Sequence, residues 1–424
     1  MKQTNINDFE EILYEKTLEN GLKVYLVPIS RKNNYYCMIG TKFGGEVNCF
    51  LVDKEINYVP TGIAHFLEHK LFEHETLNPS EFFYESGTDL NASTTSEYTN
   101  YYFQGNQKFY DNLKYFLKWI TTFSTTKEKV EKEQGIILEE ARMHMDNPDR
   151  ILYEKLKNNT LVSHSRKNKV IGTDEDIINI KKEDLELCFN SFYRPDNMFL
   201  IITGKFDVNK TIKLIEKELK NFNNPKTIIE KIFLEEADNV NKEYEELYLD
   251  VEIPRLAVSV KINKQKFTNL NLDNEILEYY LQMILSLGFS NTSVFKESLI
   301  LKGLISSFGT QYNEIKDHYL LNFIANTNKP KELLNEINNY FLHINLLEED
   351  FIRMKKTWIA SEIRMTDNIN AMASVIMDDV LDYDTYKTNS IETIKKLDFK
   401  ILKKVLDTIP FDNKATIIIF PKEN

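Results

Sequence analysis

The sequence predicts an α+β fold made of two homologous domains, each with a mixed or antiparallel sheet packed by helices. Three observations lead to this prediction. Short segments typical of strands alternate with long helical patterns. The 424 residues are enough for two or three domains, each with its own core. Short motifs of the first half also reappear in the second half. Together these observations indicate a duplicated domain.

The elements of the first half follow from their residue patterns in chain order. Residues 21–28 alternate like a half-buried strand, and residues 35–40 form a second candidate strand. A helix is predicted over 62–72, and the β-branched and aromatic content of 91–103 indicates strands. Two long helical patterns and a short apolar strand that ends at a glycine follow, over 107–124, 126–146 and 199–204.

The second half repeats three motifs of the first at offsets of 216, 222 and 214 residues, although a chance similarity is the alternative. The paired segments begin at Leu200 and Thr416, at Glu140 and Glu362, and at His65 and Tyr279. A charged, Asn-rich stretch between the halves suits a linker. We therefore predict a first domain over 1–225, a linker over 226–245 and a second domain over 246–424.

Composition excludes several classes of protein. The formal net charge of −12 argues against a nucleic-acid partner, although an acidic site that prefers basic peptides stays open beside ordinary surface acid. Three cysteines without a CxxC spacing argue against a disulfide scaffold and for a reducing compartment. The polar N-terminus does not resemble a signal peptide, and no stretch is apolar enough to span a membrane. We therefore expect a cytoplasmic protein.

A His-x-x-Glu-His pattern is the strongest chemical signal in the chain. His65 and His69 are four residues apart, which places both imidazoles on one face of a helix. Zinc prefers nitrogen and oxygen ligands in a tetrahedral shell, and one helical turn provides two of them. Glu68 lies beside the histidines and can reach a water without binding the metal. The pattern is the inverted form of a zinc-peptidase helix, and two histidines of an ordinary helix are the alternative.

A catalytic zinc needs a third protein ligand and an open position for water. Glu133 and Glu140 are seven residues apart, so they lie on one face of the next long helix. If Glu140 binds zinc, Glu133 can approach the same place and orient a histidine or a water. Solvated surface acid is the alternative for either residue. His74 and His144 are rival ligands that we regard as bystanders.

The order of these motifs resembles the insulinase/pitrilysin family of inverted-motif zinc peptidases. The resemblance rests on the segments 62–69 and 90–103, on Glu133 with Glu140, and on 170–173 and 193–198. It covers the first half almost throughout, whereas the second half matches weakly in sequence. It implies two homologous domains arranged as a clamshell around an enclosed chamber.

The resemblance also implies roles for individual residues. Zinc is expected on His65, His69 and Glu140, with Glu68 as the general base. Asn91 and Ala92 are expected on an edge strand that pairs with the substrate backbone. The internal repeat, in turn, places Tyr279, Gln282 and Met283 at the positions of His65, Glu68 and His69, which confines the metal to the first half.

One departure from the family concerns the groups that steady the substrate carbonyl. Family members carry an Arg and a Tyr seven residues apart in the C-terminal half, where this chain has Glu297 and Leu304. Short two-domain members often form dimers, some with a zinc-less relative that would supply this pair. The sequence therefore predicts a zinc metalloendopeptidase that cleaves peptides or unfolded segments, for peptide maturation or processing. The alternative is a zinc-holding structural or peptide-binding subunit without turnover.

Overall fold

The computed structural model describes residues 1–6, 10–73, 77–145, 147–387 and 389–422, and of 144 and 145 only the backbone. The described strands, in chain order, are β1 (Lys2–Asn5), β2 (Ile12–Thr17), β3 (Lys23–Pro28), β4 (Tyr35–Thr41), β5 (Cys49–Val52), β6 (Glu55–Tyr58), β7 (Asp89–Thr94), β8 (Thr99–Gly105), β9 (Met198–Gly204), β10 (Ile229–Lys231), β11 (Tyr244–Leu249), β12 (Arg255–Asn263), β13 (Ser307–Ile315), β14 (His318–Asn326) and β15 (Lys414–Pro421).

The described helices agree with the long helical patterns of the sequence. In chain order they are α1 (Ile63–Phe72), α2 (Pro79–Glu85), α3 (Phe109–Ile120), α4 (Lys127–Met145), α5 (Pro148–Thr160), α6 (Asp174–Asn179), α7 (Lys182–Phe192), α8 (Val208–Glu218), α9 (Asn274–Phe289), α10 (Val294–Leu301), α11 (Pro330–Leu342), α12 (Glu348–Met365), α13 (Ile369–Tyr383), α14 (Ser390–Lys396) and α15 (Phe399–Thr408). The predicted α+β class is confirmed.

The chain folds into two compact units. Unit 1 comprises Met1–Arg142, Asn168–Phe233 and Glu362–Ser390. Its main sheet has the strand order β1-β2-β3-β9-β4-β8-β7, and β5 is paired with β6 and β10 in a small separate sheet. Unit 2 comprises Met143–Lys167, Leu234–Ser361 and Ile391–Asn424, and its sheet has the order β11-β15-β12-β14-β13.

The two main sheets share one topology, as the duplication predicts. In unit 1, β3 pairs with β9 in parallel, and the next three pairings toward β7 are antiparallel. In unit 2, β11 pairs with β15 in parallel, and the next three pairings toward β13 are antiparallel. In unit 1, β9 lies between β3 and β4, and in unit 2, β15 lies between β11 and β12.

Each unit includes one helix from the other half of the chain. The apolar side chains of α13, such as Met372 and Ile376, pack on the face of the unit 1 sheet formed by Tyr25 and Ile201. In unit 2, Leu152 of α5 packs with strand residues of that sheet. Because both faces of each sheet are apolar, each needs a second cover.

The two observed units therefore cannot be obtained by dividing the chain at one point. The predicted range 1–225 contains α5, which belongs to unit 2, and the range 246–424 contains α13, which belongs to unit 1, because sequence position does not reveal which apolar face a helix covers. The predicted linker 226–245 does contain the passage from Phe233 to Leu234. It also carries β10, which pairs with β5, so its charged composition concealed a strand. The assignment of separate functional domains to these ranges stays a prediction.

Among the described residues, no helix combines the length and apolarity needed to cross a bilayer. The three cysteines are free thiols, and Cys37 and Cys188 are buried. These observations agree with the prediction of a fold that does not depend on disulfides.

Candidate metal centre

Helix α1 begins at a backbone position that requires glycine. Gly62 has φ of +87°, and a Cβ there would lie 2.4 Å from the carbonyl oxygen of Ile171. The apolar side chains of α1, such as Phe66 and Leu67, are buried in the core of unit 1. The same helix packs against β7 and β8. This packing fixes the turn of helix that carries the two histidines.

His65, His69 and Glu140 come together in unit 1. The two imidazole rings lie 4.6 Å apart between centroids. Nε2 of His65 is 3.8 Å from Oε1 of Glu140, and Nε2 of His69 is 3.6 Å from Oε2 of the same carboxylate. One ligand atom from each residue lies within 4.8 Å of the others. Glu140 reaches the histidines because α4 passes beside α1.

This donor set fits zinc in number, kind and spacing. Two imidazole nitrogens and one carboxylate oxygen are the ligand types of catalytic zinc sites. Atoms that bind one tetrahedral zinc at about 2.0–2.2 Å are roughly 3.3–3.6 Å apart. The contacts of Glu140 with the two histidines, at 3.8 and 3.6 Å, are close to that spacing. The site therefore can hold zinc with small side-chain adjustments.

Glu133 lies behind His69, on the side away from Glu140. Its Oε1 atom is 3.0 Å from Nδ1 of His69. Burial raises the pKa of Glu133, but the hydrogen bond with His69 and the charge of Lys70 outweigh burial and lower the pKa overall. The ionised carboxylate can only accept a hydrogen bond, so it places the proton of His69 on Nδ1. Nε2 then has its lone pair available for a metal.

The surrounding acids also affect the pKa of the His69 ring. Burial lowers the pKa of His69, whereas the hydrogen bond and charge of Glu133 and the charges of Glu140 and Glu68 raise it by more. A metal cation is attracted to the same place for the same reason, since three carboxylates lie around the two imidazoles.

Glu68 is buried beside this cluster, with 9 % of its surface exposed. Burial raises the pKa of Glu68, and a hydrogen bond from Thr94 partly opposes that increase. The Thr94 hydroxyl lies 2.5 Å from Oε2 of Glu68. A raised carboxyl pKa suits a group that accepts and later returns a proton near neutral pH.

Asn91 and Ala92 lie on β7, the last strand of the unit 1 sheet as the structure describes it. Asn91 is opposite Tyr102 and Ala92 is opposite Tyr101 of β8. The backbone N–H of Ala92 donates to Oδ1 of Asn91 at 2.8 Å. The sequence-predicted substrate residues therefore lie on a strand that has an exposed edge.

The second half differs at the positions matched to the metal site and to the family's Arg and Tyr. Met283 is buried in the core of unit 2, and within the described residues the only cluster with metal-ligating geometry is that of His65, His69 and Glu140. Glu297 is exposed on α10. Leu304 is 1 % exposed and packs in the core of unit 2.

His74 lies outside the described residues, as does the side chain of His144. Two residues that the sequence did not single out contact the site, namely Lys70 beside Glu133 and Thr94 beside Glu68. Lys70 follows directly after His69 in the sequence. Its full burial marks it as part of the site, and the periodicity of the sequence does not predict that burial.

Two family models and a curated relative match this chain. The family model described as Insulinase (Peptidase family M16) matches residues 54–174, and the model described as Peptidase M16 inactive domain matches residues 179–357. A curated protein of Bacillus subtilis, named uncharacterized zinc protease YmfH, is 33% identical over 350 residues, which is 81% of this chain and 80% of the relative. The chain belongs to the insulinase family of peptidases.

Solved structures of the insulinase family show the same fold over nearly the whole chain. An M16-like peptidase from Alicyclobacillus acidocaldarius is 27% identical, with a TM-score of 0.92 over 98% of this chain and 99% of that chain. A peptidase M16 inactive domain from Pseudomonas fluorescens is 12% identical, with a TM-score of 0.77 over 97% of this chain and 98% of that chain. The second likeness concerns the fold alone. The family therefore includes both proteins named as zinc proteases and proteins named as inactive domains.

Proposed function

We propose that this protein is a zinc-dependent metallopeptidase that cleaves peptides or unfolded protein segments. The observation that carries the proposal is the convergence of His65, His69 and Glu140 beside a buried acid, Glu68. The name of its Bacillus subtilis relative as a zinc protease supports the same conclusion. Peptide maturation or processing is the role we assign to it.

Bound zinc supplies a Lewis acid that polarises a carbonyl group and lowers the pKa of water. His65, His69 and Glu140 would hold the metal. Oε2 of Glu68 accepts the Thr94 hydrogen bond, so Oε1 of Glu68 accepts the proton of the attacking water. Glu68 then passes that proton to the leaving amine nitrogen. Its burial keeps solvent from competing for the proton.

The edge of β7 supports an extended peptide as the substrate. A peptide that adds to this edge as a further strand forms main-chain hydrogen bonds that are independent of its sequence. This mode requires the substrate to be unfolded over several residues. Asn91 and Ala92 would contact its backbone.

The test is the Glu68→Gln variant, compared with the parent protein loaded with zinc. We expect one equivalent of zinc in both proteins, and cleavage of an unstructured peptide by the parent alone, because glutamine cannot accept the proton. Chelation should stop the parent, and added zinc should restore it. Equal cleavage by the variant and the parent would contradict the assignment of Glu68.

A second candidate function is a zinc-holding, peptide-binding subunit without turnover of its own. Exposed Glu297 and buried Leu304 at the family's Arg and Tyr positions favour it, because neither side chain can donate a hydrogen bond to a substrate carbonyl. A zinc-less homologous partner could supply those donors in a dimer. Assaying this chain alone, and then with such a relative, separates the candidates. Cleavage only in the mixture identifies a paired enzyme.

A further inference from the structure

Lys70 directly follows His69 and is fully buried, which is uncommon for a lysine. Its side chain has 0% exposure, and its ammonium group contacts three oxygens. Nζ donates to Oε2 of Glu133 at 3.2 Å, to the carbonyl oxygen of Lys129 at 3.2 Å, and to the carboxylate of Glu73. The ammonium group has three N–H bonds, so these contacts use its whole donor capacity.

The two oxygens of Glu133 have different partners. Oε2 accepts from Lys70, and Oε1 lies 3.0 Å from Nδ1 of His69. A buried carboxylate held at one oxygen cannot rotate about its last bond without losing that contact. Lys70 therefore fixes the direction in which Oε1 meets the imidazole. The contact with Lys129 on α4 also keeps the ammonium group at a set position beside Glu133.

We infer that Lys70 is a positioning residue for the metal centre, acting through Glu133 on His69. Lys70 holds the Glu133 carboxylate in one orientation, Oε1 of Glu133 accepts the hydrogen bond of Nδ1 of His69, and Nε2 of His69 thereby faces Glu140 and the metal position. Such outer partners of a ligating histidine typically alter metal affinity by about 10- to 100-fold. The inference rests on the proposed function, because it requires zinc at His65, His69 and Glu140.

The experiment measures Zn²⁺ affinity by competition with a chromophoric chelator, so it does not depend on turnover. The variants are Lys70→Met, Glu133→Gln and the double variant. Methionine has a similar length without the charge, and it fills irregular buried space. Lys132→Met is the matched control, because Lys132 is adjacent to Glu133 on the same helix but is exposed.

We expect Lys70→Met to bind Zn²⁺ about 10- to 100-fold more weakly than the parent, and Lys132→Met to bind like the parent. If Lys70 acts through Glu133, its replacement has little further effect once Glu133 is glutamine. An equal loss of affinity in both backgrounds would indicate packing alone and would overturn the inference. An unchanged affinity of folded Lys70→Met would also overturn it.

Folding of the variants provides a second readout. If Lys70→Met does not fold because Glu133 is left as an unpaired buried charge, the double variant should fold, which supports the inference. A double variant that also fails to fold would overturn it. If the parent itself binds no Zn²⁺, the proposed function fails, which is distinct from a failure of the role of Lys70.

Discussion

The hydroxyl of Thr94 donates a 2.5 Å hydrogen bond to Oε2 of Glu68. Thr94 is the last residue of β7, and Glu68 is on α1. The strand that we propose as the peptide-binding edge is therefore joined directly to the carboxylate that we propose as the general base. This contact fixes the orientation of Glu68 and opposes the increase in its pKa caused by burial.

The first prediction concerns Thr94→Val, which keeps the shape of the side chain and removes the donor. A hydrogen bond to a charged group contributes roughly 1.5–3 kcal/mol, so we expect kcat/KM to fall on the order of tenfold. The pKa of Glu68 should rise, because burial favours its protonated form and the largest contribution that opposes burial is lost. The acid limb of the kcat/KM profile should therefore move to higher pH, as a pH-rate measurement would show.

Ser93→Ala is the control for that variant, because it removes a hydroxyl from the neighbouring position of β7 that contacts Asn100 instead of Glu68. It should leave the acid limb in place. A Thr94→Val protein with an unshifted acid limb and parental kcat/KM would show that the contact does not affect the base.

The second prediction concerns the edge of β7. Ala92→Pro removes a backbone N–H from an edge strand, where proline is tolerated because no ladder hydrogen bond is lost. The N–H of Ala92 donates to the Asn91 side chain, and three residues further on the N–H of Thr95 donates to the carbonyl oxygen of Tyr98, so the alternation along β7 turns the N–H of Ala92 toward the open edge. We expect KM for an extended peptide to rise about tenfold or more while Zn²⁺ affinity is unchanged. An unchanged KM would contradict strand addition at this residue.

The third prediction concerns a buried ion pair in unit 2. Glu236 accepts hydrogen bonds from the backbone N–H groups of Val162, Ser163 and His164, at 2.8, 2.8 and 2.6 Å, and from buried Lys261. Glu236→Gln leaves the charge of Lys261 without its counterion. We expect a loss of roughly 3–5 kcal/mol in the free energy of unfolding and faster amide hydrogen exchange at 162–164. Exposed Glu235→Gln should show neither change.

The same carboxylate predicts a pH dependence. Burial raises the pKa of Glu236, but Lys261 and the three backbone N–H groups outweigh burial and lower it from 4.5 to about 2. Because the pKa is lower in the folded state, the contact stabilises fully above about pH 4.5 and is lost as the pH falls toward 2. Thermal melting should show a larger acid-dependent loss of stability in the parent than in Glu236→Gln.

The fourth prediction concerns what holds the exchanged helix α13 on the unit 1 sheet. Ile376 is fully buried against the sheet, so Ile376→Ala should cost about 2–5 kcal/mol. Asp384 forms ion pairs with Lys23 and Lys42 but its side chain is 64% exposed. Residue 384 has a positive φ, which asparagine adopts as readily as aspartate. Asp384→Asn should therefore cost about 1 kcal/mol or less in the free energy of unfolding. Denaturant unfolding of the two variants would check the order, and a larger cost for Asp384→Asn would contradict it.

The sequence determined the local parts of this protein. A pattern of two histidines and a glutamate within about one helical turn indicated the helix of the proposed metal ligands, because imidazoles four residues apart must share a face. The seven-residue spacing of Glu133 and Glu140 placed both acids on one face for the same reason. The repeated motifs indicated the duplication, which the shared sheet topology bears out.

Only the tertiary structure decided which distant groups meet. No periodic pattern of the sequence predicts three features of the structure. They are the burial of Lys70 against Glu133, the hydrogen bond between Thr94 and Glu68, and the exchange of α5 and α13 between the units. Each depends on how one element packs against another that is remote along the chain. Helical spacing fixes neighbours within a turn, whereas contacts between elements follow from which apolar faces are buried together.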